Sequence, residues 1–420
     1  MKRIKRLSSV SLESFIPWLA LTLLITLTYA LFFQVPYAGI YFSSQGTLFQ
    51  VYVTAHPDQA LEVGDQLLQV GPITWANFTH DLRQPLFVGV QPGQVVPLVI
   101  ERHGQRLNIA WTFPGPTLRE IWARLNSEWP LSYFFWLAGT ATLLFLRPKD
   151  ERWWLLIAFN FLTALWLAVG GMLSPWHIWE SALIFRLAVW LSVPVYWHLH
   201  WVFPAPLPRL SPYFWWAFYI IAISLALLDC FQLLPTGSYF LGFLLALAGS
   251  VMLLIAHFIL QPMQRRDVWL LALAAMLVLT PSIAISIVGI FDAKRIAGIF
   301  TLFSQPFAFA LLTFPILPFA YLYAATRRQL GGLEVRANRL IASYIFFIVL
   351  GTGMVVLITL ADSWLTFPGK TVTIASLAAL VVATLTSVGM APFQRFVERR
   401  LLGISLPPLH SREKGAISWS

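Results

Sequence analysis

The chain has 420 residues, 58% of them hydrophobic and only 11% charged, where soluble domains carry about a quarter charged residues; an ordinary water-soluble globular protein is excluded. Its net charge of +10, from 28 Lys and Arg less 18 Asp and Glu, gathers in short segments between apolar runs. Membrane orientation therefore accounts for the cations, and nucleic acid is not an expected partner. The single cysteine, Cys230, lies in an apolar run, which excludes an internal disulfide, a cysteine-based metal site and a CxxC redox pair.

Lys2, Arg3, Lys5 and Arg6 precede an apolar run from Phe15 to Phe33. That run is longer than the core of a secretory signal, so an uncleaved anchor over 13–34 is expected behind a basic N-terminus at 1–12. Cleavage after Thr28-Tyr29-Ala30 is the alternative. Residues 36–115 break the apolar pattern. Leu48-Phe49-Gln50-Val51-Tyr52-Val53 and Gln66-Leu67-Leu68-Gln69-Val70 are rich in strand formers, with a Gly64-Asp65 turn before the second. Two further strands, 95–101 and 107–113, flank His103-Gly104, a hairpin signal. Residues 75–83 suit a short helix. Thr117 then caps an amphipathic juxtamembrane helix over 116–129, whose Leu118, Ile121, Trp122 and Leu125 share one face.

From 130 to 391 nine more spans are expected, at about 130–146, 153–173, 181–203, 213–233, 238–260, 268–291, 298–325, 340–361 and 371–390, each close to the roughly 20 apolar residues that cross a bilayer. The fold class expected is therefore mainly α: a polytopic transmembrane helix bundle of about ten spans with one small β-rich domain outside it. The connecting segments fix an orientation. Arg147, Lys149, Arg152, Arg209, Arg265, Arg266, Arg327, Arg328, Arg336, Arg339, Arg395, Arg399 and Arg400 fall on one side, and Lys294, Arg295 and Lys370 on the other. Thirteen cations against three place both termini in the cytoplasm and the β-rich domain on the far side.

Ionisable groups inside spans are functional candidates because each costs several kcal/mol there. Arg186 and Asp229 fall at similar depth near the outer ends of consecutive spans; they either pair or snorkel separately to the interface. His198, His200 and His257 invite a metal or haem reading. On a helix His198 and His200 lie about 200° apart, which no single ion bridges, so interfacial hydrogen bonding is the better expectation and neither metal nor cofactor is expected. The chain has no HExxH, no GxxxxGK[ST] and no GxSxG motif, so no catalytic residue is assigned. Pro281, Pro306, Pro315 and Pro318 are expected to kink their helices.

Two stretches carry family resemblances. Tyr37-Ala38-Gly39-Ile40-Tyr41-Phe42, then Ala60-Leu61-Glu62-Val63-Gly64-Asp65-Gln66-Leu67-Leu68-Gln69-Val70-Gly71, then Gly93-Gln94-Val95-Val96-Pro97-Leu98-Val99-Ile100-Glu101-Arg102 resemble a bacterial PDZ domain over 36–115. Such domains add an extended peptide as a strand and hold its terminal carboxylate on loop N–H groups. The resemblance implies a peptide or protein terminus as ligand, with Gly39, Ile40 and Tyr41 at the carboxylate loop. The usual Gly-Leu-Gly-Phe loop is missing, and a ligand-free spacer of the same fold is the alternative.

His198-Leu199-His200-Trp201-Val202-Phe203-Pro204, the segment from Tyr321 through Ile341, and Pro392-Phe393-Gln394-Arg395-Phe396-Val397-Glu398-Arg399-Arg400-Leu401-Leu402 are similar to parts of multi-span bacterial sensor histidine kinases. The resemblance implies a bacterial inner-membrane protein that acts as a sensory input module. In those relatives a dimerisation region and an ATP-binding core follow. Here eighteen residues follow Leu402, and the tail over 392–420 reads as truncated. A module that is not itself an enzyme is expected, its partners being the lipid bilayer and either a separate kinase or a second copy as a homodimer. A transporter or channel component is the alternative, and a membrane enzyme near the three histidines a third.

Overall fold

A computed structural model describes residues 2–43, 45–53, 61–125, 127–146, 149–208, 210–235, 237–261, 268–269, 271–275, 278, 315–326 and 392, with side chains from Phe15 onward. The expected spans at 340–361 and 371–390, most of those at 268–291 and 298–325, Pro281, Pro306 and the exit segment lie outside the described residues. The chain divides into two compact units, Met1–Ala325 and Thr326–Ser420, and the architecture below is that of the first.

The unit opens on α1 (Lys2–Phe33), followed by a sheet domain. In that domain β1 (Ile40–Phe42) pairs antiparallel with β2 (Leu48–Val51). A four-stranded antiparallel sheet follows, made of β3 (Gln66–Val70), β4 (Ile73–Thr74), β5 (Val95–Arg102) and β6 (Gln105–Thr112) in the order β4-β3-β5-β6, with α2 (Trp75–His80) after β4. His103 and Gly104 close the β5–β6 hairpin at φ of +52 and +77, the two left-handed residues that match a two-residue turn to strand twist. The hairpin pairs in full register from Val95↔Thr112 to Arg102↔Gln105. Its inward face carries Leu98, Ile100, Ile109 and Trp111, all buried, as are Leu67, Phe42 and Leu48. Arg102 fastens the hairpin to the Gly64 turn through two 2.7 Å bonds to the buried Asp65 carboxylate.

The helices are α3 (Leu118–Leu125), α4 (Trp129–Phe145), α5 (Glu151–Gly170), α6 (Ser181–Val202), α7 (Pro212–Cys230), α8 (Tyr239–Leu260) and α9 (Ile316–Thr326). Among the described residues, five stretches are long and apolar enough to cross a membrane: Phe15–Phe33, Glu151–Gly170, Ile178–Val202, Pro212–Cys230 and Tyr239–Leu260. That is the pattern of a membrane protein. Their outward faces carry Phe15, Trp18, Trp216, Ile220, Leu244 and Met252, large apolar groups that water would not tolerate in such a run.

Packing defines two ends of this bundle. At one, the beginning of the apolar stretch of α1 (Ile16), the end of α4 (Leu143, Leu146), the beginning of α5 (Trp153, Ile157) and the end of α9 (Leu322, Ala325) form one apolar cluster. At the other, the end of α1 meets the beginning of α4, with Phe32 edge-on to Trp129 at 5.7 Å. The sheet domain sits at this second end.

Candidate functional site

The second end holds the densest polar chemistry among the described residues, and α3 supplies most of it. Thr117 caps the helix by accepting the Glu120 N–H. At 3.6 residues per turn, Glu120 and Arg124 stack on one face. That face is turned inward: both residues are buried, Arg124 completely. A helix leaves its last carbonyls without partners, and Arg124 supplies them. Its Nη1 donates to Leu31 O at 2.8 Å and Val35 O at 2.9 Å, and its Nη2 to Pro36 O at 2.7 Å. The guanidinium also bonds Glu120 Oε1 at 2.9 Å and lies 3.6 Å over the Tyr37 ring. A cation is well placed at the negative end of a helix, so Arg124 is a C-terminal cap for α1 delivered by another helix.

The other oxygen of Glu120 accepts the Gly39 N–H at 3.1 Å. Burial pushes the Glu120 carboxyl upward, against the pull of Arg124. Gly39 has φ +73, and a Cβ there would meet Pro114 Cγ at 2.8 Å, so both backbone and space require glycine. Of the three residues assigned to a carboxylate loop, Gly39 thus has its amide on an internal carboxylate. Ile40 is a core residue of β1. Tyr41 reaches across to the bundle, donating its hydroxyl to Gly171 O at 3.1 Å.

That last bond belongs to a collar between the sheet domain and the loop from Gly171 to Glu180. Phe42 packs on Trp176 with ring centroids 4.7 Å apart, and Phe78 stacks on His177 at 4.2 Å. His177 Nδ1 bonds Gln84 O, Arg83 pairs with Glu180, and Gln232 bonds both His80 and Thr79 O. His177, Trp179, Glu180 and Gln232 all have φ between +52 and +58. Left-handed backbone is uncommon in bulky non-glycine residues and persists only where surroundings over-determine it. Here the sheet domain does so.

Glu128, just before α4, completes the collar. Its carboxylate fills the space where a Cβ on Gly171 would stand, so any side chain at 171 would displace it. Leu31, Trp129, Leu167, Ala168 and Met172 line the same small cavity as Glu128, whose carboxylate has no ion-pair partner among the described residues. Burial pushes its carboxyl above the ordinary value.

The collar therefore carries two titrating groups of opposite sense. Burial lowers His177 from 6.5 to about 4, so the fold holds it neutral. Its contribution is complete above pH 6.5 and is lost as pH falls toward 4, a difference of roughly 3 kcal/mol. For Glu128, folded-state protonation is favoured above 4.5, so its contribution is complete below that pH and is lost as pH rises through the folded value. We expect His177→Asn to flatten the acid limb of the unfolding midpoint against pH in detergent, and Glu128→Gln to flatten the alkaline limb.

Within the bundle the structure brings Arg186 and Asp229 together. Arg186 Nη1 donates to Asp229 Oδ1 at 3.1 Å and to its carbonyl at 2.8 Å, and Trp190 Nε1 donates to Oδ2 at 2.9 Å. Both charged residues are buried, so the snorkelling alternative does not apply. The histidines each have polar neighbours of their own. His200 donates Nδ1–H to Tyr196 O and accepts the Tyr321 hydroxyl at Nε2. His257 donates Nε2–H to His200 O at 2.5 Å and faces Gln261 through Nδ1. His198 stacks on Trp215 at 3.9 Å, and its Nε2 lies 3.0 Å from Glu151 Oε1, off the direction of a ring N–H. Among the described residues no group of three or more His, Cys, Asp or Glu is arranged to hold a metal ion.

Sequence reasoning missed the Glu120–Arg124 clamp, the left-handed collar and Glu128. A Glu–Arg pair at i,i+4 ordinarily marks a solvated helix face, and only the docking of α3 on the end of α1 reverses it. Compared with protein-family models, curated proteins and solved structures, the chain matches none.

Proposed function

We propose that the chain is the input module of a bacterial inner-membrane sensor, without catalytic activity of its own. In this reading a PDZ-like domain outside the cell biases the packing of a multi-span bundle, and the bundle passes that bias to a cytoplasmic output, either a separate kinase or a second copy. The observation that carries it is the Arg124 clamp. One side chain bonds the end of the anchor helix and, through Glu120, the Gly39 amide just before the first strand of the sheet domain. A displacement of that strand has a direct polar path to a membrane helix. The left-handed collar is a second rigid path, from the sheet domain to α5 and α6. The short similarities to sensor kinases support the same reading, and the distribution of cations supports cytoplasmic termini.

A thiol introduced at Arg152, beside the start of α5, tests this in lipid discs with Cys230→Ser as background. Glu120→Gln is expected to change its labelling rate while leaving a thiol at Gly104 unchanged. Solute flux through vesicles carrying the protein would sink the sensory reading. The second reading, a transporter or channel component, is favoured by the buried Arg186–Asp229 pair, since intramembrane ion pairs mark transport pathways. Flux abolished by Arg186→Met is its signature.

A further inference from the structure

The helix that carries the clamp is inside out. Its charged side, Glu120 and Arg124, is 1% and 0% exposed, while Leu118, Trp122 and Leu125 on the opposite side are 78%, 62% and 41% exposed. At 3.6 residues per turn these three form a single stripe. An uncovered apolar stripe of this kind marks an interaction surface, and its position states what covers it. Arg124 is bonded to Leu31 O, Val35 O and Pro36 O, where the apolar run Phe15–Phe33 ends. Trp129, at the start of α4, donates its indole N–H to Arg124 O. The helix therefore lies at the level where two apolar helices leave the hydrocarbon.

At that level Tyr29, Phe33 and Trp179 also point outward. Tyr29 stacks on Phe33 at 4.9 Å and faces Trp179 at 6.4 Å. Such a girdle of aromatic rings is the mark of the headgroup region, and α3 adds a further exposed ring, Trp122. The exposed side of α3 also carries Arg119 and no acidic residue, because Glu120 is turned inward. A cation beside an apolar stripe is what an interfacial helix presents to an anionic bilayer surface.

We infer that α3 lies in the membrane interface, with Leu118, Trp122 and Leu125 at the boundary between headgroups and acyl chains, so that a lipid surface is the partner of this face and acts directly on the clamp beneath it. The inference rests on the spanning helices and stands apart from the sensory reading.

Single thiols at 118, 122, 104 and 23, each in the full chain with Cys230→Ser, carry an environment-sensitive fluorophore in lipid discs. Lipids bearing a doxyl quencher high or low on the acyl chain then report depth. The expected result is strong quenching at 118 and 122 by the high quencher, weaker by the low one, with the reverse order at 23 and none at 104. Fluorescence at 118 and 122 as water-like as at 104, with 23 still quenched, overturns the inference alone; a water-like signal at 23 also removes the spanning helices. Shielding from water at 118 and 122 without lipid quenching assigns the face to a second copy and equally overturns it.

Discussion

Replacing Arg124 by Met is expected to lower stability by about 3–5 kcal/mol, the cost of leaving one member of a buried ion pair alone. The substitution keeps the length of the side chain and removes every donor. The Glu120 carboxylate is left without its cation, and the carbonyls of Leu31, Val35 and Pro36, at and just beyond the end of α1, lose their partner. Each unsatisfied buried acceptor adds to the penalty. Against a total stability of 5–15 kcal/mol in typical domains, a change of about this size converts a folded protein into a marginal one. Detergent unfolding of the full chain reads it directly. Two controls separate the clamp from a general effect of lost charge. Arg119→Ala, on the exposed neighbour, should move the midpoint by less than about 0.5 kcal/mol. Adding Glu120→Leu to Arg124→Met should recover part of the loss, because the stranded carboxylate goes with it.

Arg186→Met is expected to have an effect of the same order, about 3–5 kcal/mol, by a different route. Asp229 would keep the Trp190 N–H but lose the guanidinium that neutralises it. Removing both charges as Arg186→Met with Asp229→Leu should destabilise less than Arg186→Met alone, since a well-packed apolar pair often matches a buried ionic one. With Asp229→Leu alone completing the double-mutant cycle, a double loss smaller than the sum of the two single losses is the expected coupling. A double-variant loss equal to the sum of the Arg186→Met and Asp229→Leu losses would show that the two residues act independently.

The sequence made some of this visible and hid the rest for identifiable reasons. Periodicity and length marked α5, α6, α7 and α8 to within a few residues, because a helix that meets lipid has no polar face to confuse the pattern. His103-Gly104 announced its turn, since only a short list of residues adopts two left-handed conformations in succession. Arg186 and Asp229 were readable as a candidate pair from depth alone. Their alternative of separate snorkelling failed because Trp190 and the Asp229 carbonyl supply enough partners to hold both charges inside. The clamp was not readable. Leu118, Ile121, Trp122 and Leu125 gave the correct amphipathic stripe, but a stripe does not say which side is buried. In a soluble protein it would have been the apolar one. Here the neighbours of α3 on the protein side are open carbonyls and a backbone N–H, and the polar side packs on them. The collar was equally silent, for no sequence signal marks His177, Trp179 and Glu180 for left-handed backbone; His177 and Glu180 are held by contacts with the sheet domain.

The account turns on the sheet domain standing outside the cell while α5 begins at the inner surface. Whole cells expressing single-thiol variants at Gly104 and at Arg152, each with Cys230→Ser, should react oppositely with a membrane-impermeant maleimide. Immediate labelling at 104, and labelling at 152 only after permeabilisation, is the predicted result. Labelling at 152 in intact cells with 104 protected would put the sheet domain in the cytosol and contradict the account.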